Sequence, residues 1–67
     1  MKVREVIRDL EAHGWRAQRQ RGSHRVFGHP EHPDRRVVIA GNEGTDVPTG
    51  TLAAIYRQAG IDPAARR

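Results

Sequence analysis

Two apolar stripes at helical spacing, one near each end of the chain, bracket a central stretch without any such repeat. Val3, Val6, Ile7 and Leu10 fall at i, i+3, i+4 and i+7, so residues 2–13 are expected to form an amphipathic helix that stops at Gly14. Leu52, Ile55, Tyr56 and Ala59 repeat the spacing, with Thr49 as the expected N-cap and Gly60 as the stop. Each stripe has to be covered, and only the segment between them is there to cover it.

That segment reads as three short strands. Residues 15–21 lie between two glycines and alternate Trp15 and Ala17 with Arg16 and Gln18. Gly22-Ser23 is a turn signal. His24–Phe27 carries the β-formers Val26 and Phe27, without showing which of them faces inward. Residues 28–34 hold Pro30, Pro33 and Asp34 and are expected to loop, and residues 35–39 end in the run Val37-Val38-Ile39. Residues 40–48 form a long polar loop. Short links between strands favour an antiparallel meander, and two helices on one of its faces give a two-layer α+β domain. The order helix, three strands, helix is similar to the double-stranded-RNA-binding domain, a likeness of fold that leaves function open.

A chain of 67 residues has room for one domain, 1–67, with residues 62–67 expected to fray. So short a chain buries a modest core, and it holds no cysteine to staple it. A partner subunit would supply further burial. No stretch is long and apolar enough to span a membrane, and residues 1–7 lack the apolar centre of a signal peptide, so the expected compartment is the cytoplasm.

Charge is segregated along the chain. Residues 15–36 carry Arg16, Arg19, Arg21, Arg25, Arg35 and Arg36 against Glu31 and Asp34, which accounts for the whole net charge of +4; the flanking segments cancel. A local basic patch is the footprint of a polyanion, and guanidinium forks suit phosphate. Aromatic residues are too few for a platform that stacks single-stranded bases.

Four histidines could carry chemistry. His13 falls in the last turn of the first helix, where an imidazolium suits the dipole. His29 and His32 fall in the proline-containing loop without a third ligand at metal-site spacing, and are expected to be solvated. His24 follows Gly22-Ser23 at the head of a strand between Arg21 and Arg25. There a neutral imidazole can take the proton of a ribose 2′-OH while arginines hold the phosphate, and Gly22 lets the backbone approach it. The candidate catalytic residue is therefore His24, and the candidate RNA contacts are Arg19, Arg21, Gly22, Ser23, Arg25 and Arg36. The acidic residues are scattered, unlike the clusters of two-metal nucleases, and no phosphate-cradling loop is present, so neither a metal nor a cofactor is expected.

Gly14-Trp15 after a short helix, then Arg21-Gly22-Ser23-His24-Arg25-Val26-Phe27, resembles the HicA family of toxins. Gly50-Thr51-Leu52-Ala53-Ala54-Ile55-Tyr56-Arg57-Gln58-Ala59-Gly60-Ile61 resembles that family's C-terminal helix. The resemblance covers most of residues 3–61. It implies the toxin of a type II toxin–antitoxin pair with a double-stranded-RNA-binding-like fold, which cleaves mRNA through one histidine, here His24, and is covered by a HicB-like antitoxin. Many members of that family carry Pro-x-His after the third strand, where this chain has Ala40-Gly41-Asn42. Three readings follow: a metal-independent endoribonuclease, an RNA-binding module of the same fold that does not cleave, and a domain whose arginines meet an acidic protein.

Overall fold

The computed structural model describes residues 1–62, in the order α1 (Val3–Ala12), β1 (Arg16–Arg21), β2 (His24–His29), β3 (His32–Ile39) and α2 (Thr49–Ala59). The strands form one antiparallel sheet in the order β1-β2-β3. This is the expected α+β arrangement, and most of the tail expected to fray, 62–67, lies outside the described residues.

Both stripes go inward. Val3, Val6 and Leu10 of α1 and Ile55, Tyr56 and Ala59 of α2 are buried, and they meet Phe27, Val37 and Ile39 from the sheet. Phe27 is therefore the inward residue of β2, and Val26, next to it, faces the open side of the sheet. Paired residues of neighbouring antiparallel strands share a face, so Ala17 lies on the helix side with its partner Phe27, and Arg25 lies there with its partner Ile39. β1 is exposed along its whole length, and the Arg16 guanidinium at its start donates back to the Glu11 carbonyl of α1 at 2.9 Å. The strand's sequence, Arg-Ala-Gln-Arg-Gln-Arg, has almost nothing apolar to bury and protects an edge by charge.

The segment 28–34, expected to loop, is mostly sheet. β2 runs on to His29, the chain turns at Pro30-Glu31, and β3 begins at His32. Pro33 is accommodated because β3 is an edge strand and the register shifts between Phe27 and His29, so no ladder hydrogen bond is asked of it. Trp15 lies just before β1 and is buried against this hairpin.

His29 and His32, expected in solvent, are half-buried on Trp15. His29 meets the indole edge-on at 5.2 Å between centroids, and His32 stacks on it at 6.1 Å. The His29 ring also joins two elements. The Glu31 amide donates to Nδ1 at 3.0 Å, which leaves the proton on Nε2, and Nε2–H donates to the His13 carbonyl at 2.8 Å. His13 itself is the C-cap residue of α1, and its Nδ1 lies 2.9 Å from the Asp9 carbonyl. Gly14 is required between them: its φ is +93°, and a Cβ there would stand 2.5 Å from the His29 Nε2.

The polar segment 40–48 is pinned to the start of α1. The Val3 and Arg4 amides, which have no acceptor within the helix, donate to the Thr45 and Glu43 carbonyls at 2.9 and 3.0 Å, and the Val47 amide donates to the Met1 carbonyl at 2.8 Å. The Lys2 amide donates to Glu5 Oε1 at 2.7 Å and holds that carboxyl below its usual range. At α2 the N-cap is Pro48, and Thr49 is the first helical residue; no side chain caps this end. The other end closes as expected, with Gly60 at φ +69° and the Ile61 amide donating to the Tyr56 carbonyl. The Tyr56 hydroxyl donates to Asp9 Oδ2 at 2.6 Å and ties the two helices together.

Candidate nucleic-acid interface

The register of the sheet sorts the candidate residues between its two faces. Arg21 pairs with His24, and Arg19 pairs with Val26, which pairs with Val38. None of these belongs to the buried core, so they form rows on the face away from the helices. Arg36, two residues before Val38, alternates onto the same face. This open face therefore carries Arg19, Arg21, His24 and Arg36 around Val26 and Val38, the latter 48% exposed.

His24 stands at the head of β2 and is exposed. The turn before it is a two-residue hairpin with Gly22 at φ +59° and nothing within 4 Å of where a Cβ would stand, so Gly22 is used for its backbone and leaves the approach open. The turn is braced on both sides. Gln20 Nε2 donates to the Gly22 carbonyl at 3.1 Å, and the Gly41 amide donates to the Ser23 carbonyl at 3.1 Å. Ser23 is half-buried under this second bond, which fixes the backbone that leads into His24.

Arg25 is placed apart from the other arginines. It points to the helix side of the sheet, where its guanidinium lies 3.6 Å from the Glu43 carboxylate and 3.5 Å from the Gly41 carbonyl, with only 16% of the side chain exposed. Both partners belong to segment 40–48. Arg36 shares a face with His24 but sits roughly 13 Å along the sheet, at ~3.3 Å per residue, and its Nη1 donates to the Pro33 and Arg35 carbonyls. The structure thus brings Arg19, Arg21 and His24 together, sets Arg36 at the far end of the same face, and turns Arg25 away.

A cleft opens beside His24, about 430 Å³ in volume, lined by His24, Val38, Asp46, Pro48, Thr51 and Ile55 among others. The sequence gives no sign of it, because strand head, loop and helix start are distant in the chain and no motif links them. Asn42, the last residue of Ala40-Gly41-Asn42, is exposed in the same connecting segment. Among the described residues no group of three or more His, Cys, Asp or Glu side chains is placed to hold a metal ion, and no helix is long and apolar enough to cross a membrane.

In comparison with models of known protein families, residues 3–61 match the family described as HicA toxin of bacterial toxin-antitoxin. A search of curated proteins found no match.

Proposed function

This chain belongs to the HicA toxin family of bacterial toxin–antitoxin systems, and on that premise we propose that it is an endoribonuclease that cuts mRNA with His24 as general base. As a member of a toxin–antitoxin family it has an antitoxin partner. The observation that carries the catalytic reading is the row Arg21–His24, a proton acceptor and a guanidinium paired across two strands on an open basic face. In the proposed step, neutral His24 takes the proton of a ribose 2′-OH and the 2′-oxygen bonds to the adjacent phosphorus. The P–O5′ bond breaks, and the leaving 5′-oxygen takes a proton from solvent. Arg21 and Arg19 hold the phosphate and offset the charge that builds on it. Gly22 and Ser23 present the turn backbone beside it, and Arg36 takes a phosphate further along the strand. The part of Arg25 is to hold segment 40–48, and through it the His24 turn.

The products are then a 2′,3′-cyclic phosphate and a 5′-hydroxyl, and no divalent metal takes part. Purified protein incubated with RNA in excess chelator is expected to yield fragments with these ends, and RNA with a 2′-deoxy nucleotide at the cut site is expected to stay intact there. Cleavage that stops with chelator and returns with magnesium contradicts the mechanism. The partner is proposed to be a HicB-like antitoxin acting in the cytoplasm, with a surface complementary to the basic face. Adding it to the same reaction is expected to stop cleavage by covering His24.

Affinity for RNA should fall steeply with salt, because arginine contacts release phosphate counterions. Replacing Arg19, Arg21 or Arg36 singly with alanine is expected to weaken binding across sequences and to flatten the slope of log affinity against log salt by about one unit each. The check is a fluorescence-anisotropy titration at several salt concentrations. A slope near zero in the parent protein assigns the basic face to a protein partner instead.

A further inference from the structure

The cleft beside His24 has a size, a polarity and a place in the site that together define an occupant. Its volume of about 430 Å³ lies within the ~300–1,000 Å³ of small-ligand pockets. Val38, Pro48 and Ile55 give it apolar walls suited to the flat face of a ring. Its polar groups are unevenly distributed. His24, with Arg21 paired beside it, stands where phosphate would be held, whereas Thr45, Asp46 and Thr51 supply hydroxyls and a carboxylate. A carboxylate accepts N–H donors even when paired with an ammonium, so a nucleotide lying across the cleft mouth is oriented. Its phosphate goes to His24 and Arg21, and its base goes inward.

We infer that this cleft is a nucleobase subsite that seats the base next to the scissile phosphate, with Asp46 favouring guanine; the inference rests on the ribonuclease reading above. Asp46 lines the cleft with its side chain 73% exposed and pairs with Lys2, whose Nζ lies 3.1 Å from Oδ1; each carboxylate oxygen can accept more than one donor. Guanine presents two neighbouring donors, N1–H and the 2-amino group, which match the two oxygens. Adenine and cytosine set a ring acceptor beside their amino group, and uracil sets carbonyls on both sides of its single N–H. A carboxylate therefore meets lone pairs in those three bases and only donors in guanine.

Two measurements test this. In the first, the wild-type chain is titrated with guanosine 3′-monophosphate, uridine 3′-monophosphate and inorganic phosphate, and amide shifts are followed by NMR. The guanosine nucleotide is expected to move Val38, Val47 and Thr51 and to saturate at the lowest concentration. Equal shifts from phosphate alone overturn the inference and leave an anion site, and equal affinity for the two nucleotides overturns the role of Asp46. In the second, Thr51→Trp fills the cleft and Asp46→Asn removes its charge, with circular dichroism on both. Thr51→Trp is expected to lower kcat/KM on RNA by ~10-fold or more, in keeping with the usual worth of seating one base, and Asp46→Asn to flatten the preference for cuts next to guanine. Unchanged rate and cut sites in folded variants, with wild-type RNA cleavage intact, overturn the subsite alone. RNA that wild-type protein neither binds nor cleaves overturns the ribonuclease reading with it.

Discussion

His24→Ala is expected to lower RNA cleavage by ~10²–10⁴-fold, the usual worth of general acid–base assistance, and to abolish growth arrest on induction, with fold and RNA affinity nearly unchanged. His24 is exposed at the head of β2 and absent from the core, so removing the imidazole leaves no cavity. The charge of the open face comes from Arg19, Arg21 and Arg36, so binding should persist. The other histidines supply the contrast. His13→Ala is expected to stay toxic, because the side chain bonds only to its own helix in the structure described, at the Asp9 carbonyl. His29→Ala is expected to lose stability rather than chemistry, since its ring joins the α1 C-cap to the Pro30-Glu31 turn. Rates on purified RNA, with circular dichroism for each variant, separate these outcomes. A folded His24→Ala that cleaves at the parental rate moves the chemistry elsewhere, and an unfolded one makes His24 a structural residue.

Trp15→Ala is expected to unfold the isolated chain. Trp15 is 1% exposed, sits against both His29 and His32, and is the largest fully buried side chain. Deleting a buried aromatic costs ~3–5 kcal/mol, and a domain of this size has roughly 3–5 kcal/mol in all to lose. Thermal and urea melts of the purified variant should show no cooperative transition at 25 °C, and Trp15→Phe should restore one at a lower midpoint. An antitoxin that binds only the folded toxin is expected to rescue Trp15→Ala in part, by mass action. A cooperative melt of Trp15→Ala within ~1 kcal/mol of the parent would show that the His29–Trp15–His32 packing is dispensable.

The fold was legible in the sequence wherever it depends on residues close together in the chain. The stripes of Val3, Val6 and Leu10 and of Ile55, Tyr56 and Ala59 are set by helical period alone, and both are buried as that period requires. Gly60 closes α2 and Gly22 turns the first hairpin because a positive φ is a local demand. The gathering of arginines between residues 15 and 36 was likewise plain, and it predicts a basic face before any strand is paired. Tertiary structure decided the rest. Pro33 reads as loop, yet it lies within β3, because an edge strand with a register shift asks no hydrogen bond of a proline, and only Pro30-Glu31 is left as the turn. His29 and His32 read as solvated, yet both rings pack on the buried Trp15, a contact made only when the β2–β3 hairpin folds back over the start of β1. Arg25 reads as one more phosphate contact beside His24, but strand alternation sends neighbours to opposite faces, and its register with Ile39 turns it toward Glu43. The cleft brings together His24, Val38, Asp46 and Thr51, residues joined only by the path of the folded chain. Local preference fixes which elements form, and pairing across the sheet fixes which side chains meet.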